Sequence, residues 1–80
     1  MASVTLPASS EIDSTTKTAT FRFYGPSAEA NRDGYVSALG QLAPGSFVVE
    51  GWLLGLGCRT ARLTIADEVA FLSAVRTLRG

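Results

Sequence analysis

Histidine is absent from this chain of 80 residues, and cysteine occurs once, as Cys58. Without histidine, the Ser-His-acid and Cys-His nucleophile systems and most catalytic zinc sites are excluded. With a single cysteine, an internal disulfide framework is excluded, and with it the small disulfide-stapled secreted folds. We therefore expect a protein that is not an enzyme and that uses no metal or other cofactor, with Cys58 as a packed side chain.

Long apolar runs and an excess of one charge are missing as well. No apolar stretch approaches the roughly 20 residues that span a bilayer, and the N-terminal segment has neither the basic nor the apolar region of a signal peptide. Seven basic residues balance seven acidic ones, whereas a strong grip on nucleic acid or anionic lipid needs clustered Lys and Arg. We expect a cytoplasmic protein without membrane contact, for which nucleic acid is the least favoured of the partners considered.

The composition predicts one small folded domain preceded by an arm. Hydrophobic residues make up 46% of the chain, which is normal for a globular domain, although a chain of this length builds only a small core. Residues 1–17 are rich in Ser and Thr, contain Pro7 and have little to bury. We interpret 1–17 as a flexible N-terminal arm with a short edge strand at 3–6, and 18–80 as a single α+β domain.

Alternation and helical spacing of apolar residues predict five elements: a strand at 18–24, a helix at 28–42, strands at 46–54 and 58–65, and a C-terminal helix from about Asp67. Gly25 and Pro26 end the first strand. The glycine-bearing segment 55–57 predicts a hairpin turn between the second and third strands. Gly34 weakens the first helix and leaves open a later start, capped by Asp33.

The order of these elements, β-α-β-β-α, predicts an α+β fold. Two amphipathic helices must both bury an apolar stripe, and one face of a sheet can shelter both. We expect a small antiparallel or mixed sheet of three to four strands with both helices on one face, an incomplete ferredoxin-like plait. Thr64 and Asp67 have the spacing of a capping box at the start of the second helix, and Ser27 is the expected N-cap of the first.

Strict alternation assigns the strand residues to two faces. The predicted helix-side face is apolar and consists of Phe21, Phe23, Phe47, Val49, Leu53, Ala61, Leu63 and Ile65. The opposite, helix-free face carries five residues of the kinds that dominate protein interfaces. These predicted partner-binding residues are Arg22, Tyr24, Glu50, Trp52 and Arg62.

The helix-free face favours a non-enzymatic protein-binding module, either a self-associating subunit or a small inhibitor or adaptor. Coverage of that face by the N-terminal arm is an alternative that needs no partner. A second function is a small-molecule-binding regulatory domain that acts as a dimer, with backbone amides of 43–45 or 55–57 facing the ligand. A third function is nucleic-acid binding. It would use three arginines and two aromatic residues: Arg22, Arg59, Arg62, Tyr24 and Trp52.

Overall fold

The computed structural model describes residues 4–80, which form six elements: β1 (Ser9–Asp13), β2 (Thr18–Tyr24), α1 (Ala28–Leu42), β3 (Phe47–Gly55), β4 (Cys58–Ile65) and α2 (Glu68–Arg79). The first helix and the strands at 18–24 and 58–65 have the predicted bounds, and β3 is shifted by one residue. Because α1 begins at Ala28, the later start at Asp33 is wrong. Gly34 is accommodated inside the helix, where a Cβ would meet no atom within 4 Å.

The four strands form one antiparallel sheet in the order β1-β2-β4-β3. Since β4 is antiparallel to both of its neighbours, β2 and β3 run in the same direction, and α1 connects them. The predicted α+β class is thereby confirmed, with four strands and two helices. The finer expectation of an incomplete ferredoxin-like plait is not confirmed, because the strand order differs and an extra strand, β1, precedes β2. The described elements follow the order β-β-α-β-β-α.

A hairpin that the sequence did not predict opens the described chain. β1 pairs with β2 from Ser9 opposite Arg22 to Asp13 opposite Thr18. The Asp13 carboxylate accepts a hydrogen bond of 2.8 Å from the backbone N–H of Thr15, which stabilises the turn as an Asx motif.

This hairpin corrects the interpretation of 1–17 as a flexible arm for residues 4–17, the part of that segment that the structure describes. The edge strand lies at Ser9–Asp13 and not at 3–6, since residues 4–6 are not in a strand and residue 3 lies outside the described residues. Ile12 is half-buried and packs on the core, as does Val4. Backbone hydrogen bonds to β2 therefore order a segment whose side chains are mostly polar and exposed.

The core lies between one face of the sheet and both helices. The Phe21 ring on β2 lies 5.1 Å from the Tyr35 ring of α1 and 6.2 Å from the Phe71 ring of α2, measured between centroids. Both helices therefore cover the same face, as predicted. Phe21, Leu39, Leu63 and Phe71 are fully buried, and burial of each such side chain contributes about 1.5–3 kcal/mol.

The helix caps differ from the prediction. Asp67 itself caps α2, because its carboxylate accepts a 3.2 Å hydrogen bond from the backbone N–H of Ala70. Thr64 takes no part in this cap and instead donates to Oε2 of Glu50 on the neighbouring strand, at 2.7 Å. The predicted capping box is therefore wrong. Ser27 does lie at the N-cap of α1, but its side chain makes no capping hydrogen bond.

Candidate functional site

A β-bulge at Glu50 reverses the faces of the second half of β3. Val49 lies opposite Leu63, but the register then shifts, and Trp52 lies opposite Ala61. Ala61 is fully buried on the helix side of the sheet. One extra residue in a strand turns all following side chains to the other face. The prediction that Trp52 lies on the helix-free face is therefore wrong.

The other four predicted partner-binding residues do share the helix-free face. Arg22 and Tyr24 alternate along β2 with buried phenylalanines, and Arg62 lies between buried residues of β4. Glu50 also faces this side, where it accepts the hydrogen bond from Thr64. The bulge places Leu53, predicted as a core residue, on this face as well, opposite Thr60. It is about half-exposed.

Charges on the helix-free face are partly neutralised from within the chain. The carboxylate of Glu11 on β1 pairs with the guanidinium of Arg22, and this hydrogen bond raises the pKa of Arg22 above its usual value. The sequence prediction missed Glu11 because it assigned no strand there. Arg59 and Trp52 lie on the opposite side of the sheet, so the set proposed for nucleic-acid binding is not brought together.

The exposed apolar residues concentrate instead on β3 and its hairpin. β3 is the last strand of the sheet, and no strand within residues 4–80 pairs with its outer side. We call the following residues the β3 edge surface: Val48, Trp52, Leu53, Leu54 and Leu56, of which Leu54 is 73% exposed and Leu56 fully exposed. Proteins usually protect such an edge with lysine, proline or a short strand. In β3, only the bulge and the charged side chain of Glu50 protect the edge.

The helix side of the β3 edge surface contacts a buried arginine. The guanidinium carbon of Arg32 on α1 lies 4.4 Å from the centroid of the Trp52 ring, a cation–π contact. Arg32 is only 6% exposed. Its Nε and Nη2 lie 3.0 and 2.9 Å from Oδ1 of Asp33, whereas its buried Nη1 has no acceptor among the described residues.

Arg59 lies on the same side of the sheet, opposite Leu54. Its Nη1 donates to the backbone carbonyls of Cys58 at 3.0 Å and Gly55 at 3.3 Å, which fixes the guanidinium beside the hairpin turn. Its Nε lies 3.7 Å from Oε1 of Glu29 on α1. That separation permits an ion pair but is too long for a hydrogen bond, and this buried Nε has no other acceptor in residues 4–80. Two guanidinium groups with an unmatched donor thus lie along the helix side of β3.

The sequence contains one local signal for the faces of β3 that the prediction assigned wrongly. Gly51 lies in the interior of β3, and a glycine inside a strand is typical of a bulge or a bend. If it is read that way, Trp52 and Leu54 move to the helix side and Leu53 to the helix-free face. Arg32 and Arg59 carry no comparable signal, because their unmatched donors depend on how α1 packs on the sheet.

Other chemistry is sparse in the part of the chain that the structure describes. No group of three or more acidic or cysteine residues is arranged to hold a metal ion in residues 4–80. None of the helices described is both long and apolar enough to cross a membrane. The Cys58 thiol is half-buried and lies 3.6 Å from the Thr60 hydroxyl. The chain matches no protein-family model, no curated protein and no solved structure.

Proposed function

We propose that this chain is a non-enzymatic protein-binding module that docks its partner on the β3 edge surface. The observation that carries the proposal is the coincidence of an unpaired strand edge with five exposed apolar side chains in one short stretch. Apolar patches of this kind on a small domain typically mark contact sites. This surface replaces the helix-free face that the sequence predicted, because the bulge moves Trp52 away from that face.

The mode of binding that fits a free strand edge is addition of a strand. The partner's main chain would pair with the outer side of β3, and its alternate side chains would contact the two sides of the strand. Leu53 and Val48 lie on one side, and Trp52 and Leu54 on the other. A self-associating subunit and a small inhibitor or adaptor are both consistent with this mode, since each needs only a partner with its own free strand.

Replacement of Leu54 by lysine tests the proposal, because a lysine on an edge strand opposes pairing with another strand. The matched control is Val69→Lys, which adds the same charge at an apolar residue of α2 that is 82% exposed and lies outside the β3 edge surface. Sedimentation over a range of concentrations measures self-association, and affinity capture from the native source measures partner binding. We expect Leu54→Lys to lose association that Val69→Lys retains. Equal behaviour of wild type and both variants would contradict the proposal.

The alternative, a small-molecule-binding regulatory domain that acts as a dimer, predicts a different response. A ligand that binds only the folded state raises the melting temperature, and the stabilisation grows with the logarithm of the ligand concentration relative to its Kd. A thermal-shift screen with amino acids and nucleotides therefore separates this function from protein binding. A melting temperature that no compound raises would count against the alternative.

A further inference from the structure

We propose that the segment that docks on the β3 edge surface is an extended strand of a different protein that carries a carboxylate between apolar side chains. The carboxylate would accept hydrogen bonds from Arg32 and Arg59 on the helix side of the sheet. This inference rests on the proposed function and adds the chemistry of the partner. Its support comes from the two donors that have no acceptor within residues 4–80, beside a strand whose outer side no described strand pairs.

Arg32 supplies the first donor. Its Nη1 is buried and lacks an acceptor within residues 4–80, while Asp33 occupies the opposite side of the guanidinium. A buried charged donor without a partner is costly, and a carboxylate is the acceptor that matches a guanidinium best. Trp52 covers this group at 4.4 Å and is itself 46% exposed at the edge of the sheet. A change of the Trp52 rotamer would therefore open Arg32 towards an incoming strand.

Arg59 supplies the second donor, at the hairpin end of the same side. Its Nη1 is held by two backbone carbonyls, so the orientation of the guanidinium is fixed before any partner binds. Glu29 approaches its Nε only to 3.7 Å. Arg59 lies opposite Leu54, two residues from Trp52 along β3, so both guanidinium groups flank the helix side of the strand. A strand added to β3 would lie about 10 Å from β4, twice the spacing of neighbouring strands. A glutamate between apolar neighbours on that strand would reach these donors by extending across the helix side of β3.

A second copy of this chain does not supply that carboxylate from its own β3. Antiparallel pairing of two β3 edges about a two-fold axis keeps the two faces of the sheet continuous. The acidic residue of β3 is Glu50, which faces the helix-free side and already accepts a hydrogen bond from Thr64. It would therefore lie on the wrong face of the extended sheet. The geometry accordingly favours a foreign strand over self-association.

The test uses three synthetic heptapeptides and the full chain. Each peptide has the sequence Thr-Val-Thr-X-Thr-Val-Thr, in which the central residue X is glutamate, glutamine or lysine. Trp52 fluorescence gives the affinity, and backbone amide shifts locate the bound peptide. We expect the glutamate peptide to bind about tenfold more tightly than the glutamine peptide, as for a charge-assisted hydrogen bond that is partly shielded from water, and the lysine peptide to bind most weakly.

Variants of the chain assign the preference to specific residues. Arg32→Gln and Arg59→Gln should each reduce the preference for glutamate, whereas Arg62→Gln, which removes the same charge from the opposite face, should leave it unchanged. Circular dichroism checks that each variant folds. If Arg32→Gln does not fold, Arg59→Gln carries the test alone, because that side chain is 32% exposed and lies near the hairpin turn.

The outcomes separate this inference from the proposed function. Equal affinities for the glutamate and glutamine peptides, with amide shifts confined to β3, would overturn the carboxylate proposal and leave the β3 edge surface as a docking site. Failure of all three peptides to shift the β3 amides of a chain that sediments as a monomer would overturn both. A dimer that excludes every peptide and is unaffected by Arg59→Gln would make a second copy the occupant, and would also overturn the inference.

Discussion

Arg32 and Trp52 join α1 to the exposed edge of the sheet, with the guanidinium carbon 4.4 Å from the centroid of the indole ring. One partner is nearly buried and the other is about half-exposed. The contact therefore fixes the helix side of β3 at the place where the strand is least covered. It also depends on the bulge, since without the register shift Trp52 would face away from the helix.

This contact predicts an energetic coupling between the two residues. In a double-mutant cycle with Arg32→Met and Trp52→Leu, we expect a coupling free energy of about 0.5–2 kcal/mol, the range for cation–π pairs from exposed to desolvated sites. The same cycle with Arg62→Met and Trp52→Leu should give no coupling, because Arg62 lies on the opposite face. Urea unfolding measures each variant. Coupling to Arg62 but not to Arg32 would mean that Trp52 faces the helix-free side.

Two glycines should respond to alanine in opposite directions. Gly34 lies inside α1 and a Cβ there would meet no atom within 4 Å, so Gly34→Ala should stabilise the chain by about 0.4–1 kcal/mol. Gly57 in the hairpin turn has φ +68°, and Gly57→Ala should destabilise it by about 1–2 kcal/mol. Urea midpoints of the two variants measure both effects. A stabilising Gly57→Ala would show that the turn does not need a left-handed residue.

Phe21 should be the most sensitive core position of β2, because it contacts both helices. Phe21→Ala should cost about 3–5 kcal/mol, which is a large part of the roughly 4–12 kcal/mol expected for a domain of this length. The control is Tyr24→Ala on the same strand, since Tyr24 is more than half exposed on the other face. We expect that change to stay within about 0.5 kcal/mol. Similar losses in the two variants, measured by thermal unfolding, would contradict the assignment of faces.

Acid should weaken the fold through two carboxylates that contact the β1–β2 turn, Asp13 at the end of β1 and Glu68 in the first turn of α2. A hydrogen bond from the Lys17 ammonium, 2.8 Å away, holds the pKa of Glu68 below its usual value of 4.5. Backbone N–H groups of Thr16 and Thr15 lower the pKa of Asp13 from 3.8. A group whose pKa is lower in the folded state stabilises that state above its unfolded pKa. The contribution is lost as the pH falls through the lower, folded value.

Unfolding by urea between pH 7 and pH 2.5 tests this expectation. The contribution of these two carboxylates to stability should be constant above about pH 5 and should decrease at lower pH. Asp13→Asn and Glu68→Gln should each be less stable than wild type at neutral pH and should lose less stability in acid. A wild-type stability that is unchanged from pH 5 to pH 2.5 would contradict the ion pair and the Asx turn.

Local sequence patterns determined most of the elements and much of the core. The bounds of α1, β2 and β4 follow from helical spacing, alternation and the turn residues between them. Phe21, Phe23, Leu63 and Ile65 are buried as predicted, because a side chain's face on a regular strand depends only on its position along that strand. Each of these features can be predicted without knowing which distant segment of the chain packs or pairs with it.

Only the tertiary structure decided where β1 and Trp52 lie. β1 is held by backbone hydrogen bonds to β2, and its polar side chains give little sign of them. The face of Trp52 depends on the register between β3 and β4, which the bulge at Glu50 shifts by one residue. Main-chain hydrogen bonds between strands form with almost any side chain. The amino-acid sequence therefore indicates strand pairing and register only weakly. A shift of one residue nevertheless reverses every face beyond it.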